Sequence, residues 1–393
     1  MSDKPQQVEA WLNQLGQPGA DRDYQPGHAR MHALLEPLSL RQPALRIRVA
    51  GTNGKGSTSW MLTAALQKAG LKTGLFTSPH LLSFNERIRI DGQPVHEDVL
   101  LSGLREIMPL ALQCGASYFE VATALALWVF HHAGVDAEVL EAGVGARLDS
   151  TTAVPADMGV LTPVALDHQA WLGDSLAEIA AEKIHVFDGC KLAVSAMQPD
   201  AVRALLVARR PDVHLVVEGV LSASAMAGIF QQKNAALAML AVDLLRDEGM
   251  LKLEACDAEA AIAGVVVPGR LQLLHHAQAV IWLDVAHNSH AVEALLPFLN
   301  TLDAPLDAIM VYTREDRDLG DALPMLKPYA QCLMGRAGDG FDRHVDSVGE
   351  AITLLLGENP ASRILVLGSF ITAGEVLCVL NQPDLAAGVI THS

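Results

Sequence analysis

The feature that most constrains the fold is a short apolar segment followed by a glycine-rich heptapeptide and then by a helical pattern. Residues 45–50 (LRIRVA) predict a strand, residues 51–57 read GTNGKGS, and residues 58–70 have helical apolar spacing that ends on a glycine. A phosphate-binding loop requires this order of strand, loop and helix, because the loop N–H groups and the helix N-terminus point at the anion. The heptapeptide is therefore interpreted as a phosphate loop.

The residue types within this loop suit a nucleotide and a metal ion. Its glycines let N–H groups turn inward, while Lys55 supplies a positive charge and Ser57 a hydroxyl near a metal. The loop departs from the standard Walker A pattern, because Gly56 stands between Lys55 and Ser57. An ordinary glycine-rich turn is the alternative. The candidate nucleotide-binding residues are Gly51, Thr52, Asn53, Gly54, Lys55, Gly56 and Ser57.

Strand and helix patterns alternate along the chain in two series. The first has strands at 137–140, 158–161, 191–195 and 213–217, with helices near 119–132, 175–185, 198–208 and 232–247. The second has strands at 281–285, 307–311, 331–335 and 363–368, with helices at 289–299, 318–327, 346–356 and 371–380. The alternation predicts an α/β protein: a P-loop NTPase-like N-terminal domain with a mostly parallel sheet (1–267) and a smaller Rossmann-like C-terminal domain (268–393).

Composition limits the classes of protein and partner. Half of the 393 residues are hydrophobic, enough for two cores, because single cores rarely grow beyond about 250–300 residues. The formal net charge of −17 argues against nucleic acid and acidic membrane surfaces as partners. The five cysteines include no CxxC pair and predict neither a disulfide framework nor a thiolate zinc site. Without a leader pattern or a stretch of about 18 apolar residues, a cytoplasmic protein that does not span a membrane is expected.

Polar residues that directly follow apolar segments are further candidates in the first domain. Glu141 follows the strand at 137–140 and is expected at the carboxyl edge of the sheet, where ligands bind. A carboxylate there suits Mg²⁺, and equally Glu141 can cap a helix or pair with Arg147. The segments 77–80 (TSPH) and 166–168 (LDH) occupy similar positions, although a lone histidine in such a segment is more often structural.

In the second domain, residues 283–291 (LDVAHNSHA) set polar side chains between a strand and a helix. Arg270, a short distance before them in the chain, is placed to reach a phosphate, and Asp284 is placed to reach a ribose. The alternative is turn chemistry, in which Asn288 or Ser289 caps the following helix.

Eight segments, taken in order, closely resemble the folylpolyglutamate synthase/dihydrofolate synthase family, relatives of the Mur ligases. They are GTNGKGS, TSPHL, FNERIRI, EAGVGARLDST, LDHQAWLGDSLAEIAAEK, PGRLQ, LDVAHNSH and VLGSF, and they span nearly the whole chain. The resemblance implies a monomeric ATP-dependent ligase that activates a pterin or folate carboxylate as an acyl phosphate and joins it to L-glutamate. Its acceptor would be dihydropteroate or a reduced folate.

The resemblance also implies roles for individual residues where the motifs align. Lys183 would be carbamylated and place a carboxylate near a second magnesium ion, and His287 would face the γ-phosphate. Together with Lys55 these are the catalytic candidates. The residues implied to bind Mg²⁺, with Ser57 from the loop, are Ser78, Glu141 and His168. Nucleotide contacts fall on Asn234, Arg270 and Asp284. The wall of the pterin substrate would include Gly27, Arg30, Ser117 and Asp149.

Departures from the family pattern leave two alternatives. Ala146 and Thr152 stand where family members commonly have glycine and asparagine, and the segment 184–233 is shorter than usual. Beside the folate ligase, the alternatives are a Mur-superfamily ligase for a non-folate acceptor and an ATP-binding homologue without turnover. TSPHL and FNERIRI favour folate. Against lost turnover stands the joint retention of Lys55, Ser78, Glu141, His168 and Lys183. A P-loop kinase or GTPase is disfavoured, because it would carry a standard GK[ST] motif and would not explain the second domain.

Overall fold

The computed structural model describes residues 5–15, 27–216, 224–314, 319–336, 338 and 340–390. These residues form two compact units. The first unit draws on the described residues within 1–223, 233–265 and 390–393, and the second on those within 224–232 and 266–389. None of the described helices combines the length and the apolar composition needed to cross a bilayer.

The first unit is built on an eight-stranded sheet with the order β4-β3-β2-β5-β1-β6-β7-β8. The pairs among β2, β5, β1, β6, β7 and β8 are parallel, and β3 and β4 add an antiparallel edge. The strands are β1 Leu45–Ala50, β2 Thr73–Phe76, β3 Ile88–Ile90, β4 Gln93–Pro94, β5 Ala137–Glu141, β6 Met158–Leu161, β7 Leu192–Ser195 and β8 His214–Leu215.

Helices flank the strands of this unit. They are α1 Pro5–Asn13, α2 His28–Leu35, α3 Lys55–Lys68, α4 Glu97–Cys114, α5 Tyr118–Ala133, α6 Gln169–Leu172, α7 Leu176–Lys183, α8 Asp200–Arg209, α9 Ile229–Asp247, which begins in the second unit, and α10 Ala255–Ala263. All six residues of β1 are buried, which is typical of a parallel strand covered on both faces. Two of them are arginines, and Arg46 is compensated by an ion pair with Glu138 on β5 at 2.6 Å.

The second unit contains a six-stranded sheet with the order β10-β11-β15-β12-β13-β14. It is parallel except for β10, which pairs antiparallel with β11. The strands are β10 Gln272–His276, β11 Ala279–Leu283, β12 Leu306–Val311, β13 Ala330–Gly335, β14 Arg343–His344 and β15 Arg363–Leu367, and the helices are α11 Ser289–Leu299, α12 Ala322–Leu326, α13 Val348–Glu358 and α14 Phe370–Val379. Two further strands, β9 Val265–Val266 and β16 Val389–Ile390, complete the set.

The predicted α/β class with mostly parallel sheets is confirmed. The alternating series in both parts of the chain is present, although residues 217 and 318 of the expected elements lie outside the described residues. Sequence analysis missed α4, an 18-residue helix, and the antiparallel edge formed by β3 and β4. Helix α4 packs on α5 over a shared apolar core, a tertiary contact that the alternation of strands and helices does not predict.

Candidate functional site

The glycine-rich loop lies between the end of β1 and the start of α3, as the sequence predicts. Gly54, at the N-cap of α3, has φ 91° and provides no capping side chain, so the first-turn N–H groups of this helix are left open to an anion. Gly51 has φ 144°, and a Cβ added there would lie 2.0 Å from Thr162 Oγ1. A Cβ on Gly54 would similarly meet Asn234 Oδ1 at 2.4 Å, which puts the predicted nucleotide contact Asn234 against the loop.

Two lysines converge on one carbonyl of this loop. Lys55 Nζ donates to Gly51 O at 3.3 Å and to Thr52 O at 3.2 Å, and Lys183 Nζ donates to Gly51 O at 2.8 Å. Lys183, at the end of α7, is 1% exposed. Burial, followed by repulsion from Lys55, lowers the pKa of Lys183 to about 7, although Asp167 and Asp149 oppose the shift. A large fraction of Lys183 is therefore a neutral amine at physiological pH.

Thr52 joins the phosphate loop to the segment that leads to His168. Its N–H donates to Pro163 O at 2.9 Å, and its hydroxyl both donates to Ala165 O and accepts from Ala165 N, each at 3.0 Å. His168 follows shortly afterwards as the N-cap of α6, with φ 51°. The position of His168 is thereby linked to the conformation of the loop.

Three of the four residues predicted to bind metal, Ser57, Ser78 and Glu141, carry side-chain oxygen atoms suited to Mg²⁺, whereas His168 carries ring nitrogens. The buried Ser57 Oγ has no hydrogen-bond partner among the described residues. Glu141, at the end of β5, is 3% exposed, and its Oε2 accepts from Ser78 N at 3.2 Å. No group of three or more His, Cys, Asp or Glu side chains is gathered for a metal in the described part of the chain. The hydroxyl and the carboxylate are nonetheless ligands that fit a hard cation completed by phosphate oxygens and water.

Asp149 braces the loop that follows Glu141. Its carboxylate accepts from Gly143 N at 2.9 Å, Val144 N at 3.1 Å, Thr151 N at 2.9 Å and Thr151 Oγ1 at 2.6 Å. Burial raises the pKa of this carboxyl, and these hydrogen bonds act in the opposite direction. Because Asp149 is committed to the chain itself, its contribution is to shape the site.

Contacts of α2 with α5 and with the segment that contains Asp149 connect the part of the chain that holds the four residues predicted to line the substrate. Arg30 Nε lies 3.0 Å from Glu120 Oε2, and the same oxygen accepts from Ser117 N at 2.7 Å. Gly27 is the N-cap of α2, and the next residue, His28, contacts Asp149 O and Thr152 Oγ1 through Nε2, both at 3.1 Å. Sequence analysis missed His28 and Glu120.

The predicted residues of the second unit form their own local arrangement. Asp284 is buried and accepts from Leu271 N and Ala286 N, both at 2.8 Å; burial raises its pKa, and the charge of Arg270 opposes this. The Arg270 guanidinium lies 5.1 Å from the centroid of the Phe370 ring, and His287 Nδ1 is 2.8 Å from Val285 O. Asn288 caps α11 by accepting from Ala291 N, so the capping alternative is correct for this residue.

Comparison with known proteins identifies relatives along most of the chain. No protein-family model matches it. The curated dihydrofolate synthase/folylpolyglutamate synthase of Escherichia coli is 32% identical over 395 residues, covering 90% of this chain and 91% of that protein. The chain belongs to the dihydrofolate synthase/folylpolyglutamate synthase family. This confirms the predicted resemblance and places the chain in a family of ATP-dependent glutamate ligases.

Solved structures of the family share the fold. A Mycobacterium tuberculosis folylpolyglutamate synthase complexed with ADP and AMPPCP superposes with a TM-score of 0.83 at 27% identity, covering 96% of this chain and 98% of that one. Escherichia coli FolC in complex with DHPP and ADP gives 0.81 at 28% identity, covering 95% and 97%. These matches confirm the predicted fold class over nearly the whole length.

The FNERIRI segment that helped to identify the family carries residues to which sequence analysis gave no role. Glu86 accepts from the N–H groups of Leu81 at 2.7 Å, Leu82 at 2.8 Å and Ser83 at 2.7 Å. It therefore fixes the turn that follows Ser78. The signal was present in the motif, but only the folded chain shows which backbone groups the carboxylate receives.

Proposed function

We propose that this protein is an ATP-dependent amide ligase that joins L-glutamate to the carboxylate of a pteroyl acceptor. The observation that carries the proposal is the 32% identity to the Escherichia coli dihydrofolate synthase/folylpolyglutamate synthase over 90% of the chain. The phosphate loop supports the ATP-dependent part of the proposal, because the side chains of Lys55 and Lys183 meet at Gly51 O and bring two basic groups to the loop. Dihydropteroate and a reduced folate are the proposed acceptors, and we propose a cytoplasmic monomer.

The reaction needs activation, because a free carboxylate has a poor leaving group. In the first step an acceptor carboxylate oxygen attacks the γ-phosphorus of ATP, forming an acyl phosphate and releasing ADP. The glutamate amine then attacks the acyl carbon, forming the amide and releasing inorganic phosphate and a proton. Lys55 and the open N–H groups of α3 would hold the transferred phosphoryl group, so catalysis is mainly positioning and charge stabilisation.

The proposed metal ligands are Ser57, Ser78, Glu141 and His168. Mg²⁺, when bound there, neutralises charge on the phosphate oxygens. We further propose that Lys183 adds its neutral amine to CO₂ to give a carbamate and a proton, which would place a carboxylate near a second ion. The buried position of Lys183 and its pKa of about 7 support this, because only the neutral amine is nucleophilic.

We assign the remaining roles by domain. Residues 1–267 form the proposed ATP-binding domain, and residues 268–393 form the proposed glutamate ligase domain. Asn234, which lies against the phosphate loop, is a proposed nucleotide contact. Arg270 and Asp284 are likewise proposed as nucleotide contacts, and His287 is proposed to face the γ-phosphate. The joined residues of α2 and α5, together with Asp149, support a substrate wall that includes Gly27, Arg30 and Ser117.

Lys183 predicts a specific dependence of stability on pH. Its pKa is about 7 in the folded chain against an ordinary value of 10.5, so between these values the unfolded state binds more protons. The free energy of unfolding therefore rises with pH above about 7, by at most about 1.4 kcal/mol per pH unit from this group. Below about pH 7 the amine is protonated in both states, and the slope from this group disappears.

Urea unfolding of wild type and Lys183→Met in bicarbonate-free buffer checks this expectation. The difference in unfolding free energy between the two proteins should shift in favour of wild type from about pH 7 to about pH 9. Bicarbonate should change the pH dependence of the unfolding free energy for wild type and leave that of Lys183→Met unchanged. Parallel curves for the two proteins would contradict the assigned pKa.

A phosphate-release assay tests the proposed function. Purified protein with ATP, Mg²⁺ and glutamate is given dihydropteroate, tetrahydrofolate or no acceptor. We expect phosphate release with one or both acceptors, in equal amount to the glutamyl product, and little release without an acceptor. ATP and ADP binding without turnover on either acceptor would contradict the proposal and favour a non-folate acceptor or a homologue without turnover.

A further inference from the structure

Arg87 lies in a cluster of side chains to which nothing above assigns a role. Its guanidinium carbon is 5.7 Å from the centroid of the Phe84 ring and 5.6 Å from that of the Tyr118 ring. Its Nε donates to His80 Nδ1 at 2.9 Å. Two aromatic rings and one hydrogen bond thus restrict the position of the guanidinium.

The backbone places Arg87 beside the proposed metal ligands. Thr77, which precedes Ser78, donates its N–H to Arg87 O at 2.9 Å, so the main chain of Arg87 is held directly next to Ser78. The side chain of Arg87 also donates to His80, which lies two residues after Ser78. Glu141 is also close enough to act electrostatically on Arg87. The guanidinium is therefore near the carboxyl edge of β2 and β5.

The carboxylates of Glu9, Glu86 and Glu141 act electrostatically on Arg87 from beyond ion-pair distance. Among the described residues no carboxylate forms an ion pair with it, and its terminal nitrogens donate no hydrogen bond. His80 is a neutral partner here: arginine Nε always carries a hydrogen, so Nδ1 must accept. The carboxylate of Glu86 is already used by the N–H groups of residues 81–83. Arg87 is a residue of intermediate exposure, and its two terminal nitrogens, unbonded within the described residues, are suited to bidentate binding of a carboxylate.

We propose that Arg87 binds the carboxylate of the acceptor, the group that is to be activated, through its two terminal nitrogens. This inference rests on the proposed function and adds a substrate-binding residue to it. Tyr118, which flanks the guanidinium, directly follows the predicted substrate residue Ser117 at the start of α5. Arg87 thus contacts the residue after the proposed substrate residue Ser117, and its main chain pairs with the residue before the proposed metal ligand Ser78. An acceptor carboxylate that is to reach the γ-phosphate must lie near both groups. The amino-acid co-substrate also carries carboxylates, and the experiment separates the two sources.

The test compares equilibrium binding of two ligands by calorimetry in the presence of ADP and Mg²⁺. One is dihydropteroate, and the other is the same pterin with aniline in place of 4-aminobenzoate, which lacks the carboxylate. Wild type should prefer the acid by about 10- to 100-fold, as expected for a charge-assisted bidentate pair. Arg87→Gln should prefer it by less than about threefold, and Arg87→Lys should fall between them. Arg105→Gln, an exposed arginine on α4, is the matched control and should behave as wild type.

A folded Arg87→Gln protein that keeps the wild-type preference overturns the proposal. If Arg87→Gln does not fold, Arg87→Lys decides, and an unchanged preference in that variant overturns it. If Arg87→Gln changes only the KM for glutamate in the ligation assay, Arg87 binds a carboxylate of the amino acid, and the proposal is overturned. In each of these cases a wild type that still ligates leaves the proposed function standing. If the wild-type protein binds neither dihydropteroate nor ADP, both the proposed function and the proposed role of Arg87 are wrong.

Discussion

Lys55→Ala should reduce ATP-dependent ligation by about 10³-fold or more while the protein remains folded. Lys55 is the first residue of α3, and its ammonium lies over the carbonyls of Gly51 and Thr52, where a bound phosphate would meet it. Preorganised charge at a transferred phosphoryl group is typically among the largest contributions to such a reaction. The fold should survive, because the removed ammonium also repels the buried Lys183.

Three measurements check this expectation: phosphate release, ADP binding and urea unfolding. We expect unfolding free energy within about 1 kcal/mol of wild type. Lys68→Ala is the matched control, because Lys68 lies at the other end of the same helix, where it forms a partly exposed ion pair with Asp257 at 3.9 Å. Its activity should equal that of wild type. A Lys55→Ala protein with near-normal turnover would remove the phosphate-loop assignment.

Glu141→Gln should reduce ligation by at least about 100-fold without destabilising the metal-free protein. The substitution keeps an oxygen that can accept from Ser78 N, so the contact at 3.2 Å can persist, but it removes the negative charge that a divalent cation requires. Because glutamine keeps nearly the size of Glu141 and its hydrogen-bonding capacity at this buried position, the metal-free variant should be about as stable as wild type.

Thermal unfolding with and without Mg²⁺ and ADP separates this effect from simple damage. Ligands at about 100 times their dissociation constant should stabilise wild type by about 2.7 kcal/mol, and the variant should lose most of that gain. Glu259→Gln, an exposed position on α10, is the matched control and should respond as wild type. An equal gain for Glu141→Gln would show that this carboxylate does not hold the cation.

Much of the architecture could be predicted from local patterns. The glycine-rich loop between a buried strand and a helix, and the alternation of strands and helices after it, depend on neighbours in sequence, and both are present. Local patterns do not predict α4, because this amphipathic helix lies outside the alternation of strands and helices, and they do not predict the antiparallel edge, because β3 and β4 are very short. Such edges depend on the partner strand more than on their own residues.

The sequence by itself determined the α/β class and the family, because both are written in short motifs, and the same motifs supplied the proposed residues of the site. Tertiary structure decided how those residues are used. Lys183 meets Gly51 across 132 positions of chain, and only that burial beside Lys55 brings its pKa to about 7. In the same way Asp149 is committed to four internal hydrogen bonds, whereas Arg87 uses only its Nε for a hydrogen bond within the described part of the chain. Partners, burial and charge balance arise from distant segments that meet in space, and local sequence carries no direct record of them.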